Sequence, residues 1–170
     1  MKFLEARSLF SSHFPPGLPG DTSAPDWTAL VARARTLDSS RFPLTAMREI
    51  LSQENARLGA NGAAQERIRA IGPDTVFILA GQQAGLFGGP LYTLYKAMHA
   101  VRLAEHLEEE TGRGVVPVFW VASDDHDFEE VRGVEIRTGD GSPFRAEHAP
   151  AEMIPGAPVG EIVLDEGIGA

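Results

Sequence analysis

The 170-residue chain contains no cysteine. That excludes disulfides, thiolate metal sites and a cysteine nucleophile, and leaves the redox compartment unconstrained. Long hydrophobic runs are missing too: none approaches the ~20 residues that span a bilayer. The N-terminus, MKFLEARSLF, is too polar for a secretory leader and carries an early acid, Glu5. Positive charge is scarce, with 15 Lys and Arg against 24 Asp and Glu, a net of −9. The deficit is local: residues 1–73 hold nine basic and seven acidic side chains (+2), residues 74–170 six and seventeen (−11). Such a chain has no electrostatic footprint for nucleic acid or an anionic membrane, and an anionic ligand has to be held by local donors. The expectation is a cytoplasmic protein that binds neither.

What is present is concentrated in Thr75–Val131. Thr75–Ala80 (TVFILA) and Val115–Ala122 (VVPVFWVA) are apolar runs that do not alternate with polar residues, the pattern of strands buried on both faces of a parallel sheet. A long helical pattern lies between them, so the unit reads as a βαβ crossover in an α/β fold. Both strands then end at one edge of the sheet. The loop Gly81–Pro90 and the loop Ser123–Glu130 leave from that edge, where ligands of open α/β sheets bind. The two segments are expected to face each other across one crevice.

The flanks are plainer. Three prolines in HFPPGLPG make residues 1–24 an irregular arm, with His13 a surface or packing residue. A helical prelude follows: a first helix from Ser23 or Asp26 with Trp27, Leu30, Val31, Ala34 and Leu37 at helical spacing; a second from Pro43 to Gly59; a third over Ala63–Ile71. The central helix starts at Pro90 or Leu91 and stops at Gly112 or Gly114, with Leu91, Leu94, Met98, Val101 and Ala104 in one apolar stripe. Its Glu105, Glu108, Glu109 and Glu110 read as a solvated end. Val131–Arg137 alternates as a third strand, Gly139-Asp140-Gly141 is a turn suited to a hairpin, Ala149–Gly160 a connector, and Glu161–Leu164 a further strand. The organisation expected is therefore 1–73 arm and helices, 74–138 βαβ core, 139–170 hairpin and connector leading into a remainder that is missing. Two firm strands make an incomplete sheet, and exposed apolar surface follows.

In the loop GQQAGLFGGP, Gly81, Gly85, Gly88 and Gly89 allow tight turning and close approach to a ligand. The loop empties into a helix N-terminus that favours an anion, and Gln82 and Gln83 add amides that donate and accept. The spacing matches neither the dinucleotide fingerprint nor the P-loop, and packing alone also accounts for a glycine-rich turn. Lys96 shares a helix face with Tyr92 and either adds charge toward an anion or lies along the surface. In the acidic loop, Asp124, Asp125, His126, Asp127, Glu129 and Glu130 place five acids and a histidine within eight residues. The carboxylates suit a divalent cation with phosphate oxygens, or an amine; His126 suits a general base; and Asp124 or Asp125 suits a helix N-cap. His99, His106 and His148 lack metal-ligand spacing and read as packing or surface residues.

GQQAGLFGGPLYTLYKA followed by VVPVFWVASDDHDFEEV resembles the N-terminal part of the bacillithiol-biosynthesis cysteine-adding enzymes. The likeness is specific over Thr75–Val131 and looser through the helices before it. It implies a Rossmann-like parallel core with a coiled coil further along, and a ligase that joins cysteine to glucosaminyl malate through an amide. It implies catalytic roles for Asp125, His126 and Asp127, and substrate or nucleotide binding by Gly81, Gln82, Gln83, Gly85, Gly88, Gly89, Tyr92, Lys96 and Asp124. Family members commonly carry Glu where this chain has Asp124, one methylene shorter. ATP with a divalent cation is the expected energy source, since amide formation from a free carboxylate runs uphill, and no metal ligand is assigned. The partners expected are the two small substrates, with a homodimer through the coiled coil. The rival readings are a metal-dependent hydrolase or phosphatase built on the acidic loop, and a non-catalytic nucleotide-binding module. The family is several times longer, so the chain resembles a fragment of it.

Overall fold

A computed structural model describes residues 27–148, 150 and 156–169. The expected arm with His13, and the expected helix starts at Ser23 and Asp26, lie outside the described residues. The chain divides into two compact units, residues 1–37 and 38–170. In the first, α1 spans Trp27–Thr36.

The second unit opens with α2 (Leu44–Arg57) and α3 (Gly62–Arg69). Gly59 at φ 77° lies just beyond the end of α2, and the Asn61 side chain caps α3 by accepting the Ala64 N–H at 3.0 Å. Both boundaries follow the turn residues of the sequence. Strand β1 (Val76–Gln83) runs parallel to β2 (Val115–Ala122), with Val76 opposite Val115 and Gln83 opposite Ala122. Helix α4 (Leu91–Thr111) connects them and packs on both, completing the βαβ unit. Gly112 ends α4 in the left-handed region at φ 67°, where a side chain is disfavoured. A four-residue helix α5 (Phe128–Val131) leads into the antiparallel hairpin β3 (Gly133–Arg137) and β4 (Pro143–Glu147). Val131, expected in the third strand, belongs to α5 instead, because the Asp127 cap starts a turn just before it.

Side-chain alternation assigns the two faces of the parallel sheet. Phe77, Val116 and Val118 pack with Leu44, Leu51, Ile68 and Ile71 of the α2–α3 segment, so that pair covers one face. Gln82, of opposite parity in β1, bonds to α4 residues, so α4 covers the other. The core lies toward the start of the strands, where Leu107 and Val115 are fully buried. The first strand is pinned there: Ser39 Oγ donates to the Thr75 carbonyl at 2.7 Å, and Thr75 Oγ1 accepts the Gly72 N–H at 2.8 Å. Glu108 is part of this end too, which corrects its reading as a solvated residue. Its Oε1 accepts the Val115 N–H and the Arg67 guanidinium, each at 2.9 Å, tying α4 to β2 and α3.

Burial on both faces does not extend along the strands. Leu79 is 76% exposed and Trp120 66%, both on the α2–α3 face beyond its reach. On α4, Ala100, Ala104 and Leu107 are buried, while Leu91, Leu94, Met98 and Val101 face away from the sheet and are exposed. A two-stranded sheet between a helix and a helical pair is too narrow to cover both sides of such apolar elements. Glu161–Leu164 forms no strand either; Val159–Glu161 is a 3-10 turn. We expect residues 38–170, expressed alone, to self-associate through these apolar surfaces. Sedimentation that shows a monomer with a cooperative melt would contradict this.

Among the described residues, no helix is long and apolar enough to cross a membrane.

Candidate functional site

The site lies at the carboxyl edge of the parallel pair. Strand β1 runs on through Gly81, Gln82 and Gln83, which the sequence assigned to the loop. The parallel ladder extends them because β2 continues opposite as Trp120, Val121 and Ala122. Gly81 packs closely: a Cβ there would sit 3.2 Å from the Trp120 carbonyl. Alternation then sends Gln82 and Gln83 to opposite faces.

Gln82 turns toward α4. Its Oε1 accepts from Lys96 Nζ at 2.7 Å, and its Nε2 donates to Tyr92 Oη at 3.0 Å. Lys96 Nζ also reaches the Gly81 carbonyl at 3.4 Å and sits 5.0 Å from the centroid of the Tyr92 ring. Tyr92 and Lys96, four residues apart on α4, are thus locked to the end of β1 as one exposed polar cluster. Gln83 turns the other way, and its Nε2 donates to Asp125 Oδ2 at 3.4 Å. This contact joins the two loops, as the crevice expectation requires.

Between β1 and α4 the chain makes a tight turn at Leu86–Gly88. Gly85 must be glycine because a Cβ there would meet the Gly89 Cα at 2.9 Å. Phe87 sits in the left-handed region at φ 57°, a conformation that costs a bulky residue roughly 1–2 kcal/mol and marks a loop held by its surroundings. Gly88 (φ 85°) and Gly89 (φ 68°) follow in the same half of conformational space. Helix α4 starts after Pro90 with no side-chain cap, so its first N–H groups lack intrahelical partners. In that first turn the Thr93 hydroxyl is buried without a hydrogen-bond partner, next to Gly89.

The acidic loop is organised by Asp125. Its Oδ1 accepts the His126 N–H at 2.7 Å and the Asp127 N–H at 3.2 Å. The Asp127 N–H, then the His126 N–H and the Gln83 amide, hold its carboxyl below the ordinary carboxylate value. The helix cap is Asp127, not Asp124 or Asp125: its Oδ1 accepts the Glu130 N–H at 3.1 Å. Asp124, His126 and Asp127 are exposed and Asp125 is half-buried. The structure thus joins Gln83 to Asp125 and Gln82 to Tyr92 and Lys96, but shows no side-chain contact between these two groups. Among the described residues, no three His, Asp or Glu side chains converge where a metal ion could be held. Two of the loop carboxylates are instead engaged by backbone N–H groups.

The lowered pKa has a sign. Unfolded, Asp125 titrates near 3.8; folded, it stays ionised to lower pH, so its contribution to stability is present above about pH 4 and is lost on acidification through the folded value. A carboxyl 13C titration is expected to show a midpoint below 3.8 for Asp125, and one at or above it would refute the turn's geometry.

One segment that sequence reasoning took for a connector belongs to the site. The Val159 N–H donates to the Asp125 carbonyl at 2.7 Å, and the Gly160 N–H to the Ser123 carbonyl at 2.8 Å. A Cβ on Gly160 would lie 2.9 Å from Ser123 Cβ, so only glycine lets the chain lie this close. The Pro158-Val159-Gly160 tripeptide signals a turn, but nothing local in sequence says what the turn rests against. His148, expected as a packing or surface residue, is buried, with Nε2 3.3 Å from Asp165 Oδ1 further along the same segment. His106 lies 3.6 Å from Glu109.

Between the glycine loop, α5 and this segment lies a cleft of about 140 Å³, lined by Ala84, Gly85, Leu86, Phe128, Val131, Val159, Ile162 and Leu164.

Comparison with known proteins accords with this architecture. Residues 22–170 match the bacillithiol biosynthesis BshC N-terminal Rossmann-like domain. A protein of Heliobacterium modesticaldum named putative cysteine ligase BshC is 41% identical over 125 residues, which cover 68% of this chain and 23% of that protein. One of the same name from Salinibacter ruber is 36% identical over 148 residues, 84% of this chain and 27% of the relative. The match therefore spans about a quarter of the length of these relatives. The chain belongs to the BshC family, matching its N-terminal Rossmann-like domain over residues 22–170.

Proposed function

We propose that this domain supplies part of the active site of a ligase that adds cysteine to glucosaminyl malate through an amide bond, the last step of bacillithiol synthesis. The observation that carries the reading is the Gln83–Asp125 contact, which makes one site of two loops that are far apart in sequence and both carry the family motif. The relatives' name, cysteine ligase, supports the reaction class.

In this reading the first turn of α4, with the Gly89 backbone and the Thr93 hydroxyl, takes an anionic group: a nucleotide phosphate or the carboxylate to be activated. The orphaned hydroxyl at an uncapped helix start fits such a group. Lys96 adds a positive charge near that helix start. ATP, when bound, supplies the activation that a free carboxylate needs. A divalent cation accompanying it would be held chiefly by the nucleotide phosphates, since no three His, Asp or Glu side chains converge among the described residues. Asp125 faces the ammonium of the amino acid, with Asp124 at the same loop. His126 takes the proton from the attacking amine. Asp127 shapes the loop by capping α5, beside the catalytic role its motif implies. The metal-dependent hydrolase reading lacks ligand geometry to draw on here.

The test is to incubate the full-length protein with ATP, cysteine and glucosaminyl malate and follow the thiol product by mass. Amide product with matching nucleotide turnover supports the reading. Nucleotide binding without product would leave a non-catalytic nucleotide-binding module in its place.

A further inference from the structure

The cleft is small and lined by apolar side chains, with the anionic loop close by. About 140 Å³ is well below the volumes of several hundred Å³ that drug-sized ligands use, and corresponds to about four or five water-sized groups. It is large enough for a short side chain. Gln83, immediately before the lining residue Ala84, donates to the Asp125 carboxylate, and the lining residue Val159 donates to the Asp125 carbonyl. Asp125 is thus bonded to one lining residue and to the neighbour of another, next to the cleft without lining it. A carboxylate beside an apolar recess is complementary to an amino group beside a short apolar or thiol side chain.

We propose that this cleft is the subsite for the side chain of the amino-acid substrate, and that Val159, Ile162 and Leu164 form its outer wall. The inference rests on the ligase reading for the identity of the amino acid as cysteine. Val159, Ile162 and Leu164 close the recess, and the Gly160 turn holds that wall against Ser123 and Asp125. Gly160 is thereby a positioning residue: its missing Cβ sets how close the wall comes. Selectivity follows from volume, since a longer side chain displaces the wall and a polar one leaves its hydrogen-bonding groups unmet against Phe128 and Val131.

The experiment is calorimetric titration of the full-length protein with L-cysteine under reducing conditions. Ile162→Phe and Leu164→Trp, which fill the recess from two positions, are each expected to weaken cysteine binding at least tenfold, with the affinity for glucosaminyl malate changed less than about twofold. Val163→Phe, at an 82% exposed position between them, is expected to leave both affinities unchanged. Cysteine affinity untouched by either filling variant, equal loss with Val163→Phe, or no cysteine binding by the wild type overturns the subsite. Cysteine binding that the filling variants weaken, with no amide product, leaves the subsite standing and removes the ligase reading.

Discussion

His126→Ala in the full-length protein is expected to lower turnover by about 10²- to 10⁴-fold, the range for loss of a positioned general base. The affinity for both substrates is expected to stay within about twofold. The reasoning starts from the loop. The His126 backbone is fixed by the Asp125 carboxylate at 2.7 Å, so the ring has a defined origin, while its exposure leaves it open to an incoming amine. His126→Gln preserves the backbone contact and much of the volume but offers no base, so it is expected to fail equally. Single-turnover measurements separate the two quantities. Product formation that survives His126→Ala would remove this residue from the chemistry.

Asp125→Ala is expected to have the next largest effect, at least about 100-fold in kcat/KM, because two functions go at once. The first is structural: the His126 and Asp127 N–H groups and the Gln83 amide all lose their acceptor. The second is electrostatic, since the negative charge facing the substrate ammonium disappears. Asp125→Asn divides them. Its Oδ1 can still accept both backbone N–H groups, so the turn is expected to keep its shape, as read from amide chemical shifts. The charge is gone, so the KM for cysteine is expected to rise while kcat falls little. Full activity of the Asn variant would reduce Asp125 to a turn former.

The βαβ unit was legible in sequence because its signals are local. Apolar runs bounded by Gly and Pro mark β1 and β2, Asn61 and Gly59 mark helix ends, and Gly112 stops α4 in the left-handed region. The edge geometry followed from parallel strands alone, and the Gln83–Asp125 contact accords with it. Strand ends were less legible: Gly81–Gln83 look like loop in isolation and become strand because β2 runs alongside them. Glu108 misled for a similar reason. A glutamate in the last turn of a helix opposes the dipole and looks solvated, until Arg67 and the Val115 N–H converge on it from other elements. The acidic loop was found by its density of charge, but its division of labour was not, since Asp125 and Asp127 differ only in which N–H groups they meet. The turn at 158–160 was invisible because no residue in it is chemically unusual and its partners are some 35 residues away.

The central claim is that the two loops act as one site, and the most direct measurement is a double-mutant cycle on kcat/KM with Gln83→Ala, Asp125→Ala and the pair. Residues in direct contact within one site are expected to show a coupling of about 0.5–3 kcal/mol, so the double variant falls short of the summed single losses. Losses that add within about 0.3 kcal/mol would contradict the account, because they would mean that the glycine-rich and acidic loops work independently.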